Sequence, residues 1–66
     1  MTVYGQRLSE AMAKKGLGVR QLSKKSGMSE SSIYSALERE TNPTAFTLSC
    51  FAEVLGVSMD WLWGRE

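Results

Sequence analysis

The chain has 66 residues, 42% of them hydrophobic, which predicts one small domain spanning residues 1–66 with a modest core. With one cysteine, Cys50, and no histidine, the sequence excludes an internal disulfide and predicts no metal or other cofactor, a pattern typical of a reducing, cytoplasmic setting. The net charge is +1, but residues 1–37 carry +4 and residues 38–66 carry −3, which fits either an anionic partner on one side or an ordinary solvated surface.

The N-terminal part of the chain predicts two helices. In the stretch YGQRLSEAMAKKG, apolar residues recur from Tyr4 at i, i+4, i+7 and i+8, which places them on one helical face. Two lysines followed by Gly16 predict the end of this helix. A second short helix is predicted from Val19 to Ser26, with Val19 and Leu22 facing inward, and it stops at the next glycine.

A third helix is predicted to start at Ser29, because serine is a favoured N-cap and the glutamate that follows suits the first helical turn. Its apolar face consists of Ile33, Ala36 and Leu37. The stretch ERETNP then predicts a loop, which closes at the single proline of the chain.

The C-terminal part predicts two more helices. The fourth begins after Thr44 as N-cap and ends at Gly56. The fifth is short, is capped by Ser58 and is anchored by Leu62. The residues that the fourth helix is expected to bury share a spacing of i, i+3, i+4 and i+7: Leu48, Phe51, Ala52 and Leu55.

The break between the second and third helices is the most informative segment. The two helices are joined by SGMS, a short glycine-containing connection typical of a helix-turn-helix. Gly27 suits the positive φ that ends the second helix, and Ser23 is small where the two helices approach each other. The serine-rich stretch from Ser23 to Leu37 is therefore interpreted as an ordered motif rather than a linker.

Over nearly its whole length the chain resembles the XRE-like family, the helix-turn-helix domains of lambdoid phage repressors and Cro. The resemblance is carried by YGQRLSEAMAKKG, LSKKSGMSESSIYSAL, the NPT loop and the ending LSCFAEVLGVSMDWL. It implies an all-α, compact five-helix fold of the lambda-repressor type. It also implies binding to double-stranded DNA, with the second helix of the motif in the major groove.

The resemblance places a base-facing set at the start of the third helix. Short hydroxyls tolerate several base edges, glutamate can accept from a cytosine amino group, and tyrosine can contact a phosphate or a thymine methyl. None is a bidentate arginine, asparagine or glutamine, so modest base discrimination supplemented by shape readout is expected. Solvated serines and a packed tyrosine are the plain alternatives. The set is Glu30, Ser31, Ser32, Tyr34 and Ser35.

A second implied set would contact phosphates. It combines backbone N–H groups at the start of the second helix with cations and loop side chains, although lysines are by default solvated surface residues. The predicted members are Val19, Arg20, Lys24, Lys25, Ser29, Arg39, Thr41, Asn42 and Thr44.

The chain departs from the family pattern at three points. Where many members open the second helix with a hydroxyl residue and glutamine, it has Gly18 and Val19, so only the backbone part of that phosphate contact carries over. Arg7 lacks the usual acid late in the third helix, and Glu38 is the nearest substitute. The following turn has an acidic residue, Glu40, where many members have glycine. Each departure predicts weaker DNA binding.

An extra apolar stripe suggests a partner surface. Phe46, Cys50 and Val54 recur at i, i+4 and i+8 on the face opposite the core residues of the fourth helix. Trp61 and Trp63 lie on different sides of the last helix, so at least one is expected at the surface. Since members of the resembled family commonly dimerise through C-terminal helices, a homodimer through Phe46, Trp63 and Trp61 is predicted. The alternative is that both tryptophans cover the small core.

These patterns favour a Cro-like transcriptional regulator of phage or bacterial origin, a repressor that binds a pseudo-palindromic operator as a dimer. The alternative is a protein-interaction module on the same fold, such as an antitoxin with a second protein partner. An enzyme is disfavoured because the sequence has no histidine, phosphate-cradling glycine loop, paired acids or activated nucleophile. Membrane association is not expected, because no segment approaches about 18 apolar residues and no secretion-type stretch opens the sequence.

Overall fold

Five helices account for most of the residues that the structure describes. The computed structural model describes residues 2–38 and 43–65. Within these ranges every regular element is a helix, which confirms the all-α prediction. The helices are α1 (Val3–Lys15), α2 (Val19–Ser26), α3 (Glu30–Glu38), α4 (Ala45–Leu55) and α5 (Met59–Trp63).

The predicted helix boundaries are confirmed by their caps. The Thr44 hydroxyl accepts the Thr47 N–H at the start of α4, and the Ser58 hydroxyl accepts the Trp61 N–H at the start of α5. At the other end, α1 and α4 finish at glycines whose N–H groups bond to carbonyls of the preceding turn. Local sequence chemistry therefore determines where each of these helices starts and stops.

The core draws side chains from all five helices. Helix α1 packs on α3, α4 and α5, whereas α2 packs on α3 and α4. Full burial of a large aliphatic or aromatic side chain contributes about 1.5–3 kcal/mol, so this cluster supplies most of the stability. The buried hydrophobic residues are Tyr4, Leu8, Ala11, Met12, Leu22, Ile33, Ala36, Phe51, Ala52, Leu55 and Leu62.

Three residues predicted to face the core are only half-buried. Val19 is the first residue of α2 and Leu37 the penultimate residue of α3, so each has helical neighbours on one side only. Leu48 borders an open groove between α4 and α5, which leaves one side of it uncovered. All three pack against the outside of the core rather than inside it.

Both tryptophans of α5 are half-buried, and each has a specific neighbour on α1. The Trp63 ring lies 5.9 Å from the Tyr4 ring, centre to centre, with the planes tilted by 52°. On the other side of α5, Trp61 packs against Arg7. Arg7 thus finds its partner on α5 instead of the acid late in the third helix. Among the described residues, no helix has the length and apolar character needed to cross a bilayer.

Candidate nucleic-acid interface

The turn between α2 and α3 is held by backbone conformation and serine hydroxyls. Gly27 adopts a left-handed conformation with φ of 77°, and its N–H donates to the Ser23 carbonyl at 3.0 Å. The Ser23 hydroxyl in turn donates to the Met28 carbonyl at 2.6 Å. Ser26 bridges the same turn, because its hydroxyl donates to the Leu22 carbonyl and accepts the Met28 N–H. The motif is therefore ordered, as the sequence indicates.

Ser29 begins α3 as predicted, and its hydroxyl is linked to that of Ser32. The Ser29 Oγ accepts the Ser32 N–H at 3.1 Å, and the two hydroxyl oxygens lie 3.0 Å apart. One hydroxyl donates to the other, so the pair keeps one hydrogen for an outside acceptor. A predicted phosphate contact and a predicted base contact are therefore coupled through one hydrogen bond.

The core fixes which side of α3 faces outward. Ile33 is fully buried and Ala36 nearly so, which anchors one face of the helix. Tyr34 is 48% exposed, so it is not a packed core residue. Of the other predicted base-facing residues, Glu30, Ser31 and Ser32 are exposed, whereas Ser35 is half-buried.

The start of α2 lacks a side-chain cap because its N-cap residue is Gly18. The Gly18 N–H donates instead to the Gln21 side-chain oxygen at 2.9 Å. Sequence reasoning missed this contact, although a glutamine three residues after an N-cap is a recognisable signal. Within the described residues, the N–H groups of Val19, Arg20 and Gln21 find no acceptor. They form a positive helix end that is open to an anion.

The predicted phosphate-binding side chains are distributed over several surfaces. Arg20, Lys24 and Lys25 are all exposed on α2. Lys25 also borders a groove toward α4, shared with Cys50 and Val54. The predicted loop contacts Arg39, Thr41 and Asn42 lie outside the described residues.

An open groove of about 270 Å³ separates the N-terminal ends of α3 and α4. It brings Thr44 together with the exposed serines of α3, and six of its lining residues carry hydroxyls. We refer to it as the hydroxyl groove. The hydroxyl-bearing residues are Tyr4, Ser31, Ser32, Ser35, Thr44 and Thr47.

Tyr4 lies under this groove and was predicted only as a core residue. The residue is 2% exposed, and its hydroxyl has no hydrogen-bond partner. It is the one such buried side-chain atom among the described residues. Burial raises the pKa of Tyr4 to about 12.

The three residues predicted for a dimer interface lie on two helices, Phe46 on α4 and both tryptophans on α5. Phe46 is 69% exposed. Trp63 borders the groove between α4 and α5, together with Met59 and Leu48. Trp61 borders a different groove of about 550 Å³, beside Lys14 and Lys15 on α1.

Comparison with known proteins agrees with this geometry. A helix-turn-helix family model matches residues 8–62, which include the turn and both of its helices. No curated protein matches the chain. The match covers most of the 66 residues and all of the helical structure except residues 3–7 of α1 and Trp63 of α5. The chain therefore belongs to the XRE-type helix-turn-helix family of DNA-binding regulators.

Proposed function

We propose that this protein is a Cro-like transcriptional repressor that binds a pseudo-palindromic operator as a homodimer, with α3 in the major groove. The observation that carries the proposal is the arrangement of α3. Buried Ile33 and Ala36 fix its inner face, and the hydrogen-bonded turn fixes its angle to α2. The exposed Glu30, Ser31 and Ser32 then face away from the core at its N-terminal end, where members of this motif class read bases.

Base readout by this face would be permissive. A serine hydroxyl donates or accepts one hydrogen bond at a time, so it discriminates base pairs less sharply than a bidentate arginine or glutamine does. Because the hydroxyls of Ser29 and Ser32 bond to each other, they offer a single outward hydrogen between them. Sequence-dependent DNA shape would therefore supply a large share of the specificity.

Phosphate binding would position α3 in the groove. The open N–H groups at the start of α2 and the exposed Arg20 lie at the same end of that helix. Lys24 and Lys25 lie in its last turn. Neutral N–H groups bond to phosphate without releasing counterions, whereas each cation adds to the salt dependence of binding.

A homodimer would bring two copies of α3 to successive major grooves, about 34 Å apart. The Cα atoms of one copy extend over 26 × 22 × 20 Å, and the contact between two copies has to leave α3 uncovered for both to reach the DNA. A contact through Phe46 and Trp63 meets that condition, because Phe46 lies on α4 and Trp63 lies on α5. Trp61 is a weaker candidate, because its ring is packed against Arg7.

A second candidate function is a protein-interaction module on the same fold. Phe46 favours it, since a phenylalanine that is 69% exposed is suited to a protein partner. The low net charge of +1 also agrees with it. Sedimentation distinguishes self-association from binding to a different protein. If the isolated protein is a homodimer and Phe46→Ala dissociates it, the exposed phenylalanine serves self-association. A monomer at micromolar concentration would favour a different partner.

Salt-dependent binding to random-sequence duplex tests the DNA-binding surface. The wild type should show a linear fall of log K with log salt, and Arg20→Ala and Lys24→Ala should each reduce the slope by about 1. Lys14→Ala on α1 removes the same charge from an exposed residue outside the proposed surface. An equal effect of all three substitutions would show that net charge alone governs binding and would contradict the proposed surface.

A further inference from the structure

The hydroxyl groove lies between two helix N-termini. Helix α3 has 9 residues and α4 has 11, and both begin beside this groove with hydroxyl residues. Within the described residues, the N–H groups of Ala45 and Phe46 in the first turn of α4 find no acceptor. Each helix end therefore adds positive partial charge, and an anion in the groove would be stabilised from two sides.

The caps of α3 and α4 have the same arrangement and leave donors available. At α4, the Thr44 hydroxyl accepts the Thr47 N–H at 3.1 Å and donates to the Thr47 hydroxyl at 3.0 Å. The Thr47 hydroxyl hydrogen is thus free to bond to a ligand. At α3, the paired hydroxyls of Ser29 and Ser32 likewise keep one hydrogen. The groove consequently offers hydroxyl donors from both sides.

The Tyr4 hydroxyl gives independent evidence for a ligand. A buried hydroxyl normally has a hydrogen-bond partner, yet this one has none. Tyr4 lines the groove from α1, beneath the two helix ends. An acceptor that enters the groove would complete its hydrogen bonding.

We propose that the hydroxyl groove binds one phosphate of the DNA backbone, with the hydroxyls of Tyr4 and Thr47 as donors to its oxygens. This inference rests on the proposed DNA-binding function and adds two residues to it. The Tyr4 oxygen is covered in the free protein, so binding has to shift the groove side chains slightly. A phosphodiester fits the chemistry because it is an anion with two exposed acceptor oxygens, whereas the groove supplies neutral donors and helix ends.

Neutral hydrogen-bond donors and charged side chains affect the salt dependence of DNA binding differently. Lysine and arginine release counterions when they bind phosphate, so their removal lowers both the affinity and the salt slope. A hydroxyl contributes a hydrogen bond without neutralising charge. Loss of the Tyr4 or Thr47 hydroxyl should therefore weaken DNA binding and leave the salt slope unchanged.

Tyr4→Phe tests the proposal, because it removes one hydroxyl and keeps the ring. Affinity for random-sequence duplex should fall roughly ten- to a hundredfold, as expected for a lost hydrogen bond to a charged acceptor. The salt slope should stay the same, and the unfolding midpoint of the free protein should stay the same or rise, because no internal hydrogen bond is lost. Ser9→Ala, which removes an exposed hydroxyl of α1 outside the groove, is the control and should bind as the wild type does.

Three outcomes would overturn the inference. If wild type and Tyr4→Phe bind DNA equally, the hydroxyl does not contact phosphate, and the proposed DNA-binding function still stands. If Tyr4→Phe lowers both affinity and the unfolding midpoint, the hydroxyl has a structural role. If the wild type itself shows no salt-dependent DNA binding, the proposed function fails, and this inference fails with it.

Discussion

Arg7 and Trp61 connect the first and last helices, 54 residues apart in sequence. The Arg7 Nη1 donates to the Trp61 carbonyl at 2.5 Å, and the guanidinium carbon lies 5.0 Å from the centre of the Trp61 ring. One side chain thus binds the backbone of α5 and covers its aromatic ring. Because α5 has only 5 residues, it depends on such contacts for its position.

Arg7→Ala should lower the free energy of unfolding by about 2 kcal/mol, from the loss of a charged hydrogen bond and a cation–π contact. Urea unfolding followed by far-UV circular dichroism measures this change. Lys14→Ala is the matched control, because it removes a cation whose partner Glu10 lies 3.6 Å away on the exposed surface of the same helix. That pair is worth less than about 0.5 kcal/mol. Equal effects of the two substitutions would contradict the role assigned to Arg7.

Gly27 should be sensitive to substitution for conformational reasons alone. Its φ is 77°, and a Cβ added there would meet nothing within 4 Å, so the cost of Gly27→Ala comes from backbone strain. That cost is about 1–2 kcal/mol. Gly27→Asn should destabilise less, since asparagine tolerates this region better. Thermal unfolding of both variants tests the order, and an asparagine variant less stable than the alanine variant would contradict it.

Burial of Tyr4 predicts a loss of stability at alkaline pH. Its pKa is about 12 in the folded protein and 10.0 in the unfolded chain. Between these values the unfolded chain loses the proton first, so stability is complete below pH 10 and declines as pH rises toward 12. The two-unit difference corresponds to about 2–3 kcal/mol. Urea unfolding at pH 9 and 11 measures the decline.

Substitutions at Tyr4 and Tyr34 show which tyrosine causes this loss of stability at alkaline pH. Tyr4→Phe removes the buried phenol and should reduce the loss of stability between the two pH values. Tyr34→Phe retains Tyr4 and should lose stability as the wild type does. If the two variants decline equally, burial of Tyr4 does not account for the alkaline sensitivity.

The Glu30 carboxylate should lower the affinity for DNA and raise the stability of the folded protein. It is exposed in the first turn of α3, where a carboxylate stabilises the helix by about 0.3–1 kcal/mol and repels DNA phosphates. Glu30→Gln should therefore lower stability slightly and raise affinity for random duplex roughly two- to fivefold at low salt. Glu10→Gln removes the same charge from α1, and an equal gain from it would mean that only net charge matters.

Sequence reasoning predicted the helices well because their boundaries depend on local chemistry. The N-caps at Ser29, Thr44 and Ser58 and the glycine that ends α1 act within one helical turn, so the sequence alone reveals them. Helical spacing likewise predicts the buried residues of α3 and α4, but not that Leu37 and Leu48 are only half-buried.

The contacts between distant elements could not be predicted. The sequence showed that Arg7 lacks the usual acid late in the third helix, but not that packing brings it to a backbone carbonyl of α5. Tyr4 matched a core pattern, and periodicity does not show that its hydroxyl would lack a partner beneath a groove. Likewise, Thr44 is recognisable in the sequence as an N-cap, whereas the position of this cap opposite α3 depends on the tertiary fold.

Selection of duplex DNA from a random library by the wild-type protein tests the central claim most directly, which is sequence-specific DNA binding through α3. The account predicts enrichment of two related half-sites about one helical turn apart. It also predicts that Ser31→Ala, on the exposed face of α3, changes the preferred bases without lowering the unfolding midpoint. Failure to enrich any sequence, together with an affinity that does not depend on salt, would contradict the account.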